Sequence, residues 1–199
     1  PYSDKFSDMW DQMYELYLQN GSEILINLGG AGGGLEEIFS KNYKTNLMIL
    51  KNLFDHFFFI KGVVIDAENY VSLKDINNFV EDLKLMNMKV YFAPVYTSLL
   101  YPNSPGMGGF SYNNFEDSQD TVDGFFVQSY SSGEFTGSSF KEVNINFMNF
   151  ETLTFGILPG TVSSSQIKDR IKSLGENGCK EVYIWELGES GAVDLLREI

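Results

Sequence analysis

The chain has 199 residues, 27 acidic against 14 basic, and a formal net charge of −13 at pH 7. Its hydrophobic fraction of 43%, with 17 Phe, excludes a disordered chain, and the length suits one domain spanning 1–199. Such a surface repels phosphate backbones and anionic lipid, which argues against nucleic acid and against docking on a membrane.

In chain order, Met9, Trp10, Met13, Leu16 and Tyr17 recur at helical spacing and predict a helix over 8–19, stopped by Asn20-Gly21. Asn20-Gly21-Ser22 is also a glycosylation sequon, a triplet common by chance. Glu23–Leu28 reads as a buried strand, ended by the glycines from Gly29 to Gly34. Residues 45–59 read as a helix and Val63–Glu68 as a strand. An amphipathic helix over 72–87 carries Leu73, Ile76, Phe79, Val80 and Leu83 on one side. Lys89–Ala93 is a strand stopped by Pro94, and a polar loop follows from Tyr96 to about Asp120. Gly124–Gln128 is a strand, and 131–149 is irregular or partly helical. Leu153–Leu158 is a strand ended by Pro159-Gly160, and serines 163–165 open a helix to Leu174. Glu181–Trp185 is the last strand, and 190–198 a short helix.

Strands alternating with helices predict a parallel sheet in an α/β fold. Six strands suit either an open doubly wound sheet or a barrel. Polar residues stand at several strand ends: Asn27, Glu68, Gln128 with Tyr130, and Trp185 with Glu186. A barrel mouth draws its site from many strand ends in this way, whereas an open sheet concentrates its ligand at one switch point.

One cysteine, Cys179, and one histidine, His56, build neither a disulfide within the chain nor a Cys/His metal cage, so no metal or other cofactor is expected. The longest apolar run, 57–65, is broken by Lys61, and no membrane insertion is expected. Pro1-Tyr2-Ser3-Asp4 has neither the basic region nor the apolar stretch of a secretory leader, and a start without Met is expected of a processed or partial chain.

The segment Gly62-Val63-Val64-Ile65-Asp66-Ala67-Glu68 carries the strongest chemical signal. On a strand, Val63, Ile65 and Ala67 share an apolar face, and Val64, Asp66 and Glu68 share the other. Their two carboxylates then project from the same face, with α-carbons ~6.6 Å apart along the strand. In a barrel mouth each raises the proton affinity of the other, which suits a general acid beside an anionic partner. On spacing alone, two solvated acids at a strand end are the simpler reading. The Gly29–Gly34 run matches neither a P-loop nor a dinucleotide fingerprint and reads as a tight turn where a ligand can approach backbone. His56 reads as structural, since no nucleophile elbow accompanies it. Tyr96, Tyr101, Phe110, Tyr112 and Phe115 suit stacking on sugar rings and packing of their own loop equally well.

Together these segments resemble the family 18 glycoside hydrolases, the chitinase and endo-N-acetylglucosaminidase family, in its hevamine-like branch. Ile26-Asn27-Leu28-Gly29-Gly30 is similar to that family's third-strand Ser-x-Gly-Gly motif, and Lys61 to Glu68 to its fourth-strand signature Asp-x-x-Asp-x-Asp-x-Glu. Phe92-Ala93-Pro94, Val127-Gln128-Ser129-Tyr130, Phe155–Pro159 and Val182-Tyr183-Ile184-Trp185 are similar to strands five to eight. The resemblance implies a (β/α)8 TIM-barrel type, with six strand–helix units visible as strands three to eight. It implies that Glu68 protonates the leaving oxygen, that Asp66 holds the substrate's acetamido N–H, and that Tyr130 bonds its carbonyl. The acetamido group itself attacks the anomeric carbon. Gly29, Gly30, Gln128, Tyr96 and Trp185 are expected to line the substrate cleft, with Trp185 beneath the sugar.

Two departures stand out. Lys61 and Val64 replace the signature's first two Asp residues, and Val64 removes the inner carboxyl that shares a proton with the Asp66 position. The family's first two strands have no counterpart, so Glu23–Leu28 and Glu181–Trp185 are expected to carry open edges, covered by an upstream segment or a partner chain. The resemblance implies a glycosidase acting on β-1,4-linked N-acetylglucosamine glycans of chitin or N-glycan type. The alternatives are a chitinase-like lectin with little turnover and a structural scaffold. A secreted or extracellular location is suggested by the resemblance alone.

Overall fold

The structure, a computed structural model, describes residues 7–39, 42–115, 122–130, 136–146, 153–158 and 163–185. Six strands run through them: β1 (Ile24–Gly29), β2 (Ile60–Asp66), β3 (Lys89–Phe92), β4 (Gly124–Val127), β5 (Leu153–Ile157) and β6 (Glu181–Ile184). They lie side by side in chain order, and every neighbouring pair is parallel. A doubly wound sheet reverses its strand order at a switch point. None of these six does, so the sheet is an open half-barrel, with β1 and β6 as the outer strands of the described sheet.

The helices are α1 (Ser7–Asn20), α2 (Leu35–Ile38), α3 (Tyr43–His56), α4 (Leu73–Leu85), α5 (Tyr96–Leu100), α6 (Gly137–Asn146) and α7 (Ser164–Glu176). In α4, Ile76, Phe79, Val80 and Leu83 are buried at helical spacing, and Ser72 caps the start by accepting from the Asp75 N–H at 3.1 Å. The serine cluster opens α7 as expected: Ser163 and Gln166 form a reciprocal capping box.

Three differences from the sequence expectation have local causes. The helix expected to 59 stops at His56, because Phe57 stacks on Trp10 of α1 with ring centroids 4.2 Å apart and Phe59 is buried. That frees Ile60 to begin β2, three residues earlier than expected, and β2 ends at Asp66, leaving Glu68 just past it. The stretch expected as a loop from Tyr96 contains α5 and a 3-10 turn at Tyr112–Phe115, folded onto the sheet by buried Phe110, Tyr112 and Phe115. The helix expected over 190–198 lies outside the described residues.

The parallel register sorts the side chains into two faces. Val63 pairs with Val90, Ile65 with Phe92, Phe92 with Phe125, and Val127 with Phe155, and all of these are buried with the apolar face of α4 in one core. The opposite face carries Asn27, Val64 and Tyr91 in one row, then Phe126 and Tyr183. Tyr91 and Phe126 meet at 5.1 Å, and Phe126 and Tyr183 at 5.4 Å. This is the face that a closed barrel would turn inward, and these three rings are half-buried. Lys61 belongs to the outer face: its Nζ bonds the Phe58 carbonyl at 2.9 Å and lies over the Tyr17 ring of α1.

At the C-terminal edge, β1 and β2 come together through bare backbone. Gly29 has φ +103, and a Cβ there would overlap the Asp66 carbonyl oxygen, which accepts from Gly30 N at 2.9 Å. Gly29→Ala is therefore expected to lower stability by about 2–4 kcal/mol. Urea denaturation measures this as a lower midpoint at unchanged slope. A parent-like midpoint would show that the β1–β2 junction tolerates a side chain.

Candidate active site

The C-terminal ends of β2, β4 and β6 converge on one buried carboxyl. Asp66, the last residue of β2, is 3% exposed. A carboxyl so buried needs donors, and Gln128 supplies one: its Nε2 donates to Asp66 Oδ1 at 2.9 Å and to the Ala93 carbonyl at 2.8 Å. The backbone fixes Gln128 on both sides, its N–H bonded to the Pro94 carbonyl at 2.8 Å and its carbonyl accepting from Tyr96 N at 3.1 Å. The amide's other end, Oε1, accepts from the Tyr130 hydroxyl at 3.2 Å. The Tyr130 hydroxyl also bonds that of Tyr183, and the Tyr130 ring stacks on Trp185 at 6.0 Å and 20°. A chain of polar groups thus runs from Tyr183 through Tyr130 and Gln128 to Asp66.

Gly156 on β5 makes room for it. A Cβ there would meet the Tyr183 ring at 2.6 Å and the Tyr130 ring at 3.0 Å, so only glycine lets both tyrosines lie over β5. The Gly156 carbonyl in turn accepts from the fully buried Ser129 hydroxyl at 2.9 Å, which anchors the end of β4.

The electrostatics follow from this packing. Burial, and then the charge of Glu68, push the Asp66 carboxyl up to about 6, against the opposing pull of the Gln128 N–H. Burial pushes the Tyr130 hydroxyl up to about 12, and Tyr112 and Tyr183 are raised further, with the Asp66 charge contributing to each. All three phenols keep their protons at neutral pH.

Of the residues expected from sequence, Asp66, Gln128, Tyr130 and Trp185 form one connected group, and the charge of Glu68 is felt within it. Gly30 flanks the carboxyl: a Cβ there would stand 3.6 Å from Asp66 Oδ2. Gly29 holds the strand junction behind it. Tyr96 lies elsewhere. It is 2% exposed, edge-on to Phe155, with its hydroxyl on Glu142 at 3.3 Å, so its faces are not open to a sugar. Of the five loop aromatics that suited either stacking or packing, four are buried, and Tyr101 alone is open to solvent. Tyr183 was not expected in the site. Its signal is the alternation that puts it on the same face as Trp185 two residues on. His56 and Cys179 lie before β2 and β6, at the opposite end of the sheet.

No family model matches the chain, and no curated protein matches it. Solved structures do match in fold. Chitinase ChiC from Aspergillus fumigatus superposes with a TM-score of 0.83 at 20% identity, over 96% of this chain and 73% of that one. A fungal endo-β-N-acetylglucosaminidase from glycosyl hydrolase family 18 gives 0.82 at 22% identity, over 99% of this chain and 76% of that one. The six parallel strands of this chain therefore form the chitinase-like, TIM-barrel-type fold seen in family 18 glycosyl hydrolases.

Proposed function

We propose that the protein is a chitinase-like glycosidase that hydrolyses β-1,4 bonds at N-acetylglucosamine, in chitin- or N-glycan-type oligosaccharides. The observation that carries this reading is the buried Asp66 carboxyl, aligned by Gln128 beside Glu68 and within one hydrogen-bonded group with Tyr130 over Trp185.

In this mechanism Trp185 takes the apolar face of the sugar. The ionised Asp66 carboxylate accepts the acetamido N–H and makes the acetamido oxygen a better nucleophile. The Tyr130 hydroxyl turns from Gln128 to the acetamido carbonyl. Glu68 gives its proton to the glycosidic oxygen as the C1–O bond breaks, and that oxygen keeps the bonding pair. The acetamido oxygen forms the new bond to C1, closing an oxazolinium ring. Water then attacks C1 and gives its proton to the Glu68 carboxylate, which restores the acetamido group with retained configuration. No cofactor enters the sequence.

One observation favours a second reading. Val64 lies beneath Asp66 between Asn27 and Tyr91, where the resembling enzymes carry a carboxyl. A lectin that keeps the cleft with little turnover fits that replacement. A fluorogenic chito-oligosaccharide assay run beside glycan-array binding separates the two, since turnover supports the glycosidase and binding without turnover the lectin.

Glu68→Gln keeps the shape and removes the proton, so the rate is expected to fall by about 10²–10⁴-fold with binding retained. A folded variant with full activity would end the assignment. Val64→Asp is expected to raise the rate at unchanged oligosaccharide affinity. A change in affinity without one in rate would mean that residue 64 contacts the ligand, and folding is checked first because the new carboxyl is half-buried.

Asp66 adds two pH effects. The ionised form is the one that accepts an N–H, so Asp66 is expected to set the acid-side limb of the pH–rate profile near 6. For stability, the folded value lies above the ordinary 3.8, so the native state binds more protons in between. The contribution is full below 3.8 and lost as pH rises through about 6, a change of at most about 3 kcal/mol. Asp66→Asn should lack this loss and gain stability relative to the parent between pH 4 and 7.5. Denaturation midpoints at the two values test it, and an equal gap at both would contradict the buried-acid account.

A further inference from the structure

The triplet Asn20-Gly21-Ser22 has no part in the site at the mouth, and its place in the fold adds what the triplet alone lacks. An Asn-x-Ser acceptor carries a bulky, hydrophilic group, which a folded chain accommodates only at a surface turn. Asn20 is the last residue of α1 and is exposed, and Gly21 after it is exposed as well. Gly21 has φ +64, and a Cβ built on it meets no atom within 4 Å, so the space around the turn is open. Gly21 N bonds the Tyr17 carbonyl at 3.0 Å, which closes the helix and fixes where Asn20 leaves it. Ser22 is half-buried and leads into β1 at Ile24. No other asparagine in the chain is followed two residues on by Ser or Thr.

The neighbours of Asn20 are apolar and open. Residues three and four apart share a helix face, which sets Tyr17 and Leu16 beside Asn20. Leu16 is 48% exposed. The Tyr17 ring stands edge-on to Phe58 at 6.3 Å and 89°, and Phe58 is 58% exposed. Apolar side chains left open on one corner need a cover. A sugar chain rooted at Asn20 offers C–H groups to them and hydroxyls to water.

The turn also lies away from the candidate active site. It precedes β1, at the N-terminal end of the sheet, whereas Asp66 and Trp185 stand at the C-terminal ends of β2 and β6. A strand of six residues spans about 20 Å, so a group attached at Asn20 leaves the mouth clear.

We propose that Asn20 is an N-glycosylation site, occupied when the chain is made into a lumen that holds a lipid-pyrophosphate-linked oligosaccharide and its transferase. The Asn20 amide nitrogen forms a bond to C1 of the first sugar. The C1–O bond to the pyrophosphate breaks, that oxygen keeps the bonding pair, and one amide proton passes to a base of the transferase. Nothing is oxidised or reduced. Ser22 supplies the hydroxyl that the acceptor triplet requires. The inference is independent of the glycosidase reading.

The test makes the full chain behind a cleavable secretory leader in a eukaryotic host and reads the intact mass of all leader-cleaved chain, whether or not it is secreted. Most molecules are expected to carry an oligosaccharide. Digestion with a peptide N-glycanase should remove it and leave Asp at position 20, read by peptide mapping. Asn20→Gln and Ser22→Ala should each abolish the added mass, and Ser22→Thr should keep it. Leader-cleaved parent chain with unmodified Asn20 overturns the proposal. The glycosylated chain should also unfold in one urea transition, at a midpoint no lower than that of Asn20→Gln. A lower midpoint would mean that the sugar crowds the α1–β1 turn, and it overturns the proposal equally.

Discussion

The site depends on one amide. Asp66 is almost fully buried, and a buried carboxylate without donors costs several kcal/mol. Gln128 offsets part of that cost with a single N–H and spends its second N–H on the Ala93 carbonyl, so the amide cannot rotate without breaking both bonds. Its oxygen then has only one direction in which to accept, and the Tyr130 hydroxyl is there. The orientation of Tyr130, and through its stacked ring that of Trp185, follows from the need to solvate one acid.

The strands divide this work by parity. Asp66, Gln128 and Trp185 come from the ends of β2, β4 and β6, and Tyr183 from β6 itself. The intervening strands contribute small residues at the same level: Gly29 on β1, Ala93 after β3 and Gly156 on β5. Barrel interiors are filled in layers by side chains from alternate strands. The open sheet keeps that rule. Large groups from even strands can meet across an odd strand only if the odd strand presents almost nothing, which Gly156 beneath the two tyrosines illustrates. The other face of the sheet has no such alternation. There Val63, Ile65, Phe92, Phe125 and Phe155 are all large and buried, because helices rather than facing strands cover them.

That asymmetry explains what could be read from sequence. Strand alternation in residues 62–68 placed Val63 and Ile65 in the core and Val64 and Asp66 on the other face; Val63 and Ile65 are buried and Val64 is half-buried, whereas Asp66 is buried within the site. The α4 stripe and the serine cap of α7 were equally legible, because period and capping are local. The loop aromatics were not. Tyr96, Phe110 and Tyr112 carry the same residue types as Tyr70 and Tyr101, and only the fold decides which are buried and which stand open to solvent. Tyr183 was hidden for a related reason. A Tyr in an apolar strand reads as packing until Gly156, 27 positions earlier in the chain, is seen to open the space where its hydroxyl meets Tyr130.

Val64 limits where the Asp66 proton can go. A neighbouring carboxyl can take a proton and return it, whereas the Gln128 amide donates a hydrogen bond and cannot accept a proton from the acid. Beneath Asp66 lies a valine, and the phenols beyond Gln128 hold their protons well above neutral pH. The inward side of Asp66 therefore offers alignment without proton exchange. The negative charge of Glu68 raises the proton affinity of Asp66, and the Gln128 N–H opposes it.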